Sequence, residues 1–153
     1  MTDEASSSEN RSATYIVSGG ASRLGAAFVR RISKAGNNVI VGDLDEAAGA
    51  KIANEFGESV MFCRCDVRRD EDLAGLVQCA SDVFGGLDGI VNNAVNYLDN
   101  GIASSRADWH AAFDVTLFGG ALLLAKALPL LTESPSAAVV NVSSIAAKVA
   151  QRN

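Results

Sequence analysis

The chain has 153 residues, 48% of them hydrophobic and 20% charged, and 13 Lys and Arg against 18 Asp and Glu leave a net charge of −5. That composition describes one ordinary globular domain with a sizeable core, and the acidic balance argues against a nucleic-acid partner. Cys63, Cys65 and Cys79 are an odd set without C-x-x-C spacing, pointing to neither a disulfide framework nor a zinc site. They read as small buried hydrophobes on a strand and a helix, in a reducing, cytoplasmic setting. His110 is the only histidine, so no histidine-based metal site is expected.

Residues 1–12 are polar and serine-rich, the pattern of a disordered tail and not of a signal peptide. A first strand is predicted over Thr14 to Ser18 and a helix over Arg23 to Ala35, with Gly36 as its stop. Next come a strand from Asn38 to Asp43, a helix from Asp45 to Phe56 stopped by Gly57, and a strand from Ser59 to Cys65. A helix from Asp70 to Phe84, a strand from Gly89 to Asn93, a long helix from Ala107 to Leu131 and a strand from Ala138 to Ser143 complete the series. Short β-branched runs alternating with longer helical patterns imply parallel βαβ units. Right-handed crossovers then build an α/β fold, a Rossmann-like doubly wound parallel sheet of five strands in the order 3-2-1-4-5, over residues 13–153.

The most apolar stretch, Val115 to Leu131, carries Lys126 and Pro129 and falls short of the roughly 20 apolar residues of a spanning helix. It reads as a buried helix, and no membrane partner is expected. One stripe, Phe113, Leu117, Gly120, Leu124 and Leu128, suits the sheet, and Val115, Phe118 and Leu122 form a second face.

Chemistry enters at the turn Ser18-Gly19-Gly20-Ala21-Ser22-Arg23-Leu24-Gly25. Glycines there permit positive φ and close approach of phosphate oxygens to bare N–H groups, and the next helix offers its positive end to an anion. The turn does not match the strict G-x-G-x-x-G fingerprint, yet its place between strand and helix points to the pyrophosphate of an adenine dinucleotide. The other unusual polar residues fall at carboxyl ends of predicted strands, where open α/β sheets bind ligands. Asp43 ends the second strand about 20 residues after the turn, where a carboxylate accepts both ribose hydroxyls or instead caps the next helix. Asp66 ends the third strand, Asn92 and Asn93 the fourth, and Ser143 and Ser144 the fifth; each alone reads equally well as a turn or cap residue.

In order and spacing these motifs resemble the short-chain dehydrogenase/reductase family. The glycine turn is similar to its TGxxxGxG, Asp66-Val67 to its adenine-contacting pair, Asn92-Asn93-Ala94-Val95 to its NNAG, and Val140 to Ser144 to its strand ending in the active serine. The resemblance spans Thr14 to Asn153 and implies the same Rossmann fold. It implies that Gly19 shapes the turn, that Ser22 and Leu24 line the pyrophosphate, and that Gly25 lets the helix pack tightly against the sheet. It assigns Asp43 to the adenosine ribose, Asp66 and the Val67 backbone to adenine, and Asn93 and Ala94 to the nicotinamide end. Ser144 would donate a hydrogen bond to the substrate oxygen, with Ser143 in support, a choice resting on the family pattern alone. The implied activity is hydride transfer between a nicotinamide cofactor and a secondary alcohol or ketone, a small-molecule substrate.

Departures from the pattern are informative. Arg23 stands where the family has its middle glycine, bringing a Cβ and a cation toward the phosphates. Val95 replaces the last glycine of NNAG. Thr116 occupies the place of an asparagine that supports a proton relay, which puts that relay in doubt. The family's YxxxK falls a few positions beyond Asn153, so the chain is expected to be the amino-terminal part of a reductase. As given it would be a poor catalyst, or in the alternative an inactive dinucleotide-binding fragment. A bare edge on the fifth strand is expected with it, and with the edge a tendency to aggregate. The second apolar face of the long helix would be a subunit interface of a homo-oligomer in the full-length protein, or would lie under further residues of the same chain. The carboxylate at Asp43 favours NAD, with NADP as the alternative if Arg23 reaches the extra phosphate. Tyr97, Leu98 and Trp109 border the pocket or serve in packing.

Overall fold

The computed structural model describes residues 11–96 and 100–145. Five parallel strands, β1 (Thr14–Ser18), β2 (Asn38–Asp43), β3 (Val60–Arg64), β4 (Gly89–Asn92) and β5 (Ala138–Asn141), form one sheet in the order β3-β2-β1-β4-β5. The register sets Ile16 opposite Ile40 and Ile90, and Val17 opposite Val41 and Val91. Because alternate strand residues face opposite sides, the isoleucines enter one core with Leu73, Leu76, Leu123 and Ala127. The valines enter the other with Ala26, Val29 and Ile52. Near-continuous apolar runs in β1, β2 and β4 are what a sheet covered on both faces requires.

Helices α1 (Arg23–Lys34) and α2 (Glu46–Phe56) cover the valine face, and α3 (Asp70–Phe84) lies on the isoleucine face. Gly36 at φ +83° and Gly57 at φ +60° end α1 and α2 as expected. Gly85, in the left-handed region, ends α3. The Asp45 carboxylate caps α2 by accepting from the Ala48 N–H at 2.9 Å, so the capping role open to Asp43 falls to its neighbour.

The long helix differs from expectation in two ways. It runs unbroken through 28 residues as α4 (Arg106–Phe113), one π turn (Asp114–Phe118) and α5 (Gly119–Glu133). By length and composition it would suffice to cross a membrane, where the apolar stretch read from sequence was too short. It is not the buried helix expected: only 22% of its apolar stretch lies inside the fold, and it packs on the sheet along one line, Gly119, Leu123, Ala127 and Leu131. Of the expected stripe, Phe113, Leu117 and Leu128 are about half exposed, while Gly120 and Leu124 are half-buried. The phase is set by close approach: a Cβ on Gly119 would stand 2.9 Å from the Val67 Cβ. A helix apolar on nearly every side has no periodicity that could choose this line over its neighbour.

Asp88 organises the end of the sheet opposite the carboxyl ends of the strands. Its buried carboxylate accepts from the Thr14 N–H at 2.8 Å, the Ser134 hydroxyl at 2.7 Å and the Arg11 guanidinium at 2.7 Å, joining β1, the end of α5 and the entering chain. Burial alone would raise its pKa, but these three donors outweigh it and hold the carboxyl below the usual range. Arg11 belongs to the stretch read as tail; residues 1–10 lie outside the described residues, as do Tyr97 and Leu98. β5 is the outer strand and is exposed along its length.

Candidate functional site

The glycine turn is built by backbone bonds that only small residues allow. Gly19, at φ +62°, donates its N–H to the Gly42 carbonyl at 2.7 Å, and the Asn93 side-chain amide donates to the Ser18 and Gly19 carbonyls at 3.2 and 2.9 Å. Ser18 reciprocates, its hydroxyl accepting from the Asn93 and Ala94 N–H groups at 3.1 and 3.2 Å. Asn93 therefore clasps the turn with its amide while lining the site. A Cβ on Gly25 would stand 2.0 Å from the Gly19 carbonyl oxygen, so the tight packing foreseen for this glycine is against the turn itself. Ser22 is the N-cap of α1 without a side-chain cap bond, and no acidic residue occupies the first turn. That helix end keeps orphan N–H groups for an anion.

Arg23 is the single non-glycine at positive φ among the described residues, at +47°. An L-residue there carries about 1–2 kcal/mol of strain, which the surrounding turn sustains. Asp43, at the end of β2, accepts from the Ala21 N–H at 2.9 Å through one oxygen and from the Asp45 N–H at 3.1 Å through the other. Each oxygen retains a second lone pair, so the carboxylate ties the turn to β2 and can still accept from a ligand.

Asp66 follows β3. The Arg68 guanidinium grips its carboxylate, Nε donating to Oδ1 at 2.8 Å and Nη2 to Oδ2. This contact leads the causes that hold Asp66 below the ordinary carboxylate range. Arg68 was not foreseen from sequence, although a basic pair two and three residues after a strand-end aspartate was the available signal. The π turn carries Val115 and Thr116 to the site; such turns recur at functional positions because one extra residue swells the helix locally. Asn92 turns away, its amide donating to Asn141 at 2.8 Å and to the Gly120 carbonyl at 3.3 Å.

These elements enclose one trough of about 920 Å³ across the carboxyl ends of the strands. It is lined by Gly19, Ser22, Arg23, Leu24, Gly25, Asp43, Asp66, Val67, Asn93, Ala94, Thr116 and Ser144, all the residues singled out from sequence as site residues, together with Arg68, Val95 and Ser143. Trp109 stands outside it, with its ring 6.2 Å from that of Phe113. The volume lies within the range of small-molecule and cofactor sites. A row of bare N–H groups at one wall and the Asp43 carboxylate at the next strand end match the phosphates and ribose hydroxyls of a dinucleotide, whereas the Asp66 carboxylate is already committed to Arg68.

A family model described as short chain dehydrogenase matches residues 13–153. Among curated proteins, cis-4-hydroxycyclohexanecarboxylate dehydrogenase of Sinomonas cyclohexanicum is 34% identical over 148 residues, covering 90% of this chain and 57% of its own. The 3-alpha-(or 20-beta)-hydroxysteroid dehydrogenase of Mycobacterium tuberculosis is 32% identical over 132 residues, covering 85% and 50%. The chain thus spans about half the length of these relatives. Among solved structures, a short-chain dehydrogenase/reductase of Brucella melitensis described as a glucose/ribitol dehydrogenase superposes with a TM-score of 0.84 at 28% identity, over 90% of this chain and 58% of that one. A 3-ketoacyl-(acyl-carrier-protein) reductase from the same organism, complexed with NADH, has the same fold, with a TM-score of 0.84 at 24% identity over 90% and 60%.

Proposed function

The chain belongs to the short-chain dehydrogenase family, and we propose on that footing that it serves NAD(P)-dependent hydride transfer between a secondary alcohol and its ketone. The observation that carries the reading is the convergence of Gly19, Asp43, Asp66, Asn93 and Ser144 from five strand ends on one trough. Relatives named for a hydroxycyclohexanecarboxylate and a hydroxysteroid support an alicyclic substrate bearing a secondary hydroxyl. The first turn of α1, with Gly19, Ser22, Arg23, Leu24 and Gly25, holds the pyrophosphate. Asp43 takes the adenosine ribose, Asp66 and Val67 take adenine, and Asn93 and Ala94 border the nicotinamide half. When bound, the nicotinamide supplies the carbon that gives or accepts hydride. Ser144 donates a hydrogen bond to the substrate oxygen and steadies the charge gathering there, and Thr116, on the π turn, lines the same trough.

NAD is the preferred cofactor. A carboxylate beside the ribose repels a 2′-phosphate by about 4 kcal/mol per unit charge pair near 4 Å at an effective dielectric of 20, before screening. Arg23 offsets part of that repulsion, which keeps NADP as the weaker ligand. Trp109, Phe113, Leu117, Phe118 and Leu122 leave apolar surface of the long helix exposed, which supports a homo-oligomer, and the free cysteines suit a reducing, cytoplasmic setting. Neither nucleic acid nor membrane figures as a partner. Fluorescence titration with NADH and NADPH tests the cofactor reading. The wild-type chain binds NADH more tightly, and Asp43→Ala weakens NADH at least tenfold while narrowing its advantage over NADPH. An unchanged NADH affinity in the variant overturns the ribose assignment.

A further inference from the structure

The three cysteines do not form the unrelated set their spacing suggests. Cys63 on β3 and Cys79 on α3 bring their Sγ atoms to 2.8 Å, both as free, half-buried thiols, less than 1 Å beyond a disulfide bond length of about 2.05 Å. Cys65, the residue that follows β3, is buried in the core beside them. Strand alternation puts Cys63 and Cys65 toward α3, and the helix carries Cys79 to the first of the two. The chain between the paired thiols contains Asp66, Val67 and Arg68, a turn that lines one wall of the trough, the wall assigned to adenine in the proposed function.

We propose that Cys63 and Cys79 form a disulfide site, oxidised by a low-molecular-weight disulfide of the glutathione type, whose bond ties β3 to α3 across that turn. One thiol gives its proton to solvent, and the thiolate attacks a sulfur of the glutathione disulfide, forming a mixed disulfide and expelling one glutathione thiolate. The second thiol, deprotonated in turn, attacks the protein sulfur of the mixed disulfide and expels the second glutathione thiolate. The protein loses two electrons and two protons, and one glutathione disulfide becomes two thiols. Burial pushes the Cys63 thiol up to about 12. The exchange is therefore slow at neutral pH and quickens as pH rises, because only the thiolate attacks.

The chain's own arginines make the test clean. Trypsin cleaves after Lys51, Arg64, Arg68, Arg69 and Arg106, placing Cys63, Cys65 and Cys79 on separate peptides, residues 52–64, 65–68 and 70–106. The folded chain is incubated with oxidised glutathione at about pH 8, alkylated, weighed and mapped. The expected result is a loss of about 2 Da, a cross-link between peptides 52–64 and 70–106, and alkylation confined to Cys65. Closing a loop of this length also raises Tm by roughly 5–10 °C, reversed by dithiothreitol. Cys65→Ala keeps the cross-link and Cys79→Ala loses it. Three free thiols after prolonged oxidation, stable glutathione adducts, a bond through Cys65, or cross-links only between separate chains each overturn the proposal. The wild-type map decides it even where a variant fails to fold.

Discussion

Replacing Gly25 by alanine places a methyl group where the turn has no room for one. Its carbon would lie 2.0 Å from the Gly19 carbonyl oxygen and 2.7 Å from the Asn93 side-chain nitrogen, where ordinary contact begins at 3.4 Å. The turn cannot easily give way, since Gly19 is fixed to Gly42 at 2.7 Å and its carbonyl to Asn93 at 2.9 Å. Helix α1 must withdraw by more than an ångström or the Asn93 clasp must open. Overpacking of this kind costs about 1–3 kcal/mol, and the lost hydrogen bond adds about 1 kcal/mol. A total near 3 kcal/mol lowers Tm by roughly 6–12 °C in a domain of this size. The same retreat moves the positive end of α1 away from Asp43, and NADH affinity falls about tenfold, the equivalent of roughly 1.4 kcal/mol. Thermal unfolding followed by circular dichroism reads the first effect and NADH fluorescence the second. Gly75→Ala is the control: inside α3 with nothing near the added carbon, it stabilises by about 0.5–1 kcal/mol. A Gly25→Ala chain that melts within about 2 °C of wild type, which in a domain of this size is no more than about 1 kcal/mol, and binds NADH equally well would refute the packing argument.

Asp88→Ala leaves the buried Thr14 N–H without its acceptor and costs about 2–4 kcal/mol. Because the folded-state pKa of Asp88 is depressed, its contribution is complete above the unfolded value near 3.9 and is lost as pH falls through the folded one. Denaturant unfolding below about pH 4 is therefore steeply pH-dependent in wild type and flatter in the variant; equal slopes count against the latch. Arg68→Ala removes the leading cause of the depressed Asp66 pKa. The Asp66 titration seen by NMR moves up toward about 3.9, and an unmoved midpoint contradicts the pairing. Phe118→Asp puts a charge on the exposed apolar surface of the long helix and lowers the oligomeric state seen by light scattering. A wild type already monomeric at high concentration dismisses that interface.

The order of elements was legible from the chain because its signals were local. β-branched runs such as Tyr15-Ile16-Val17 and Val39-Ile40-Val41 named strands to within a residue or two, and Gly36 and Gly57 named helix ends. The strand-end residues Asp43, Asp66, Asn93 and Ser144 could be placed on one trough because a parallel doubly wound sheet carries every such end to the same edge. The long helix was legible as a helix and not as an orientation. With apolar residues all round, only the contact of Gly119 with Val67 selects its buried line, and only the assembled site reveals the π turn beneath Thr116.

Sequence by itself determined which segments become strands and helices, and which polar residues stand at the ligand edge, since both follow from spacing along a single chain. Tertiary structure alone decided the partners: Arg11 and Ser134 for Asp88, Arg68 for Asp66, Asn93 for Gly19, and Cys79 for Cys63. Spacing fixes the direction a side chain takes from its own backbone. The partner it meets depends on the crossovers and approach distances of other segments, and these are properties of the packed whole.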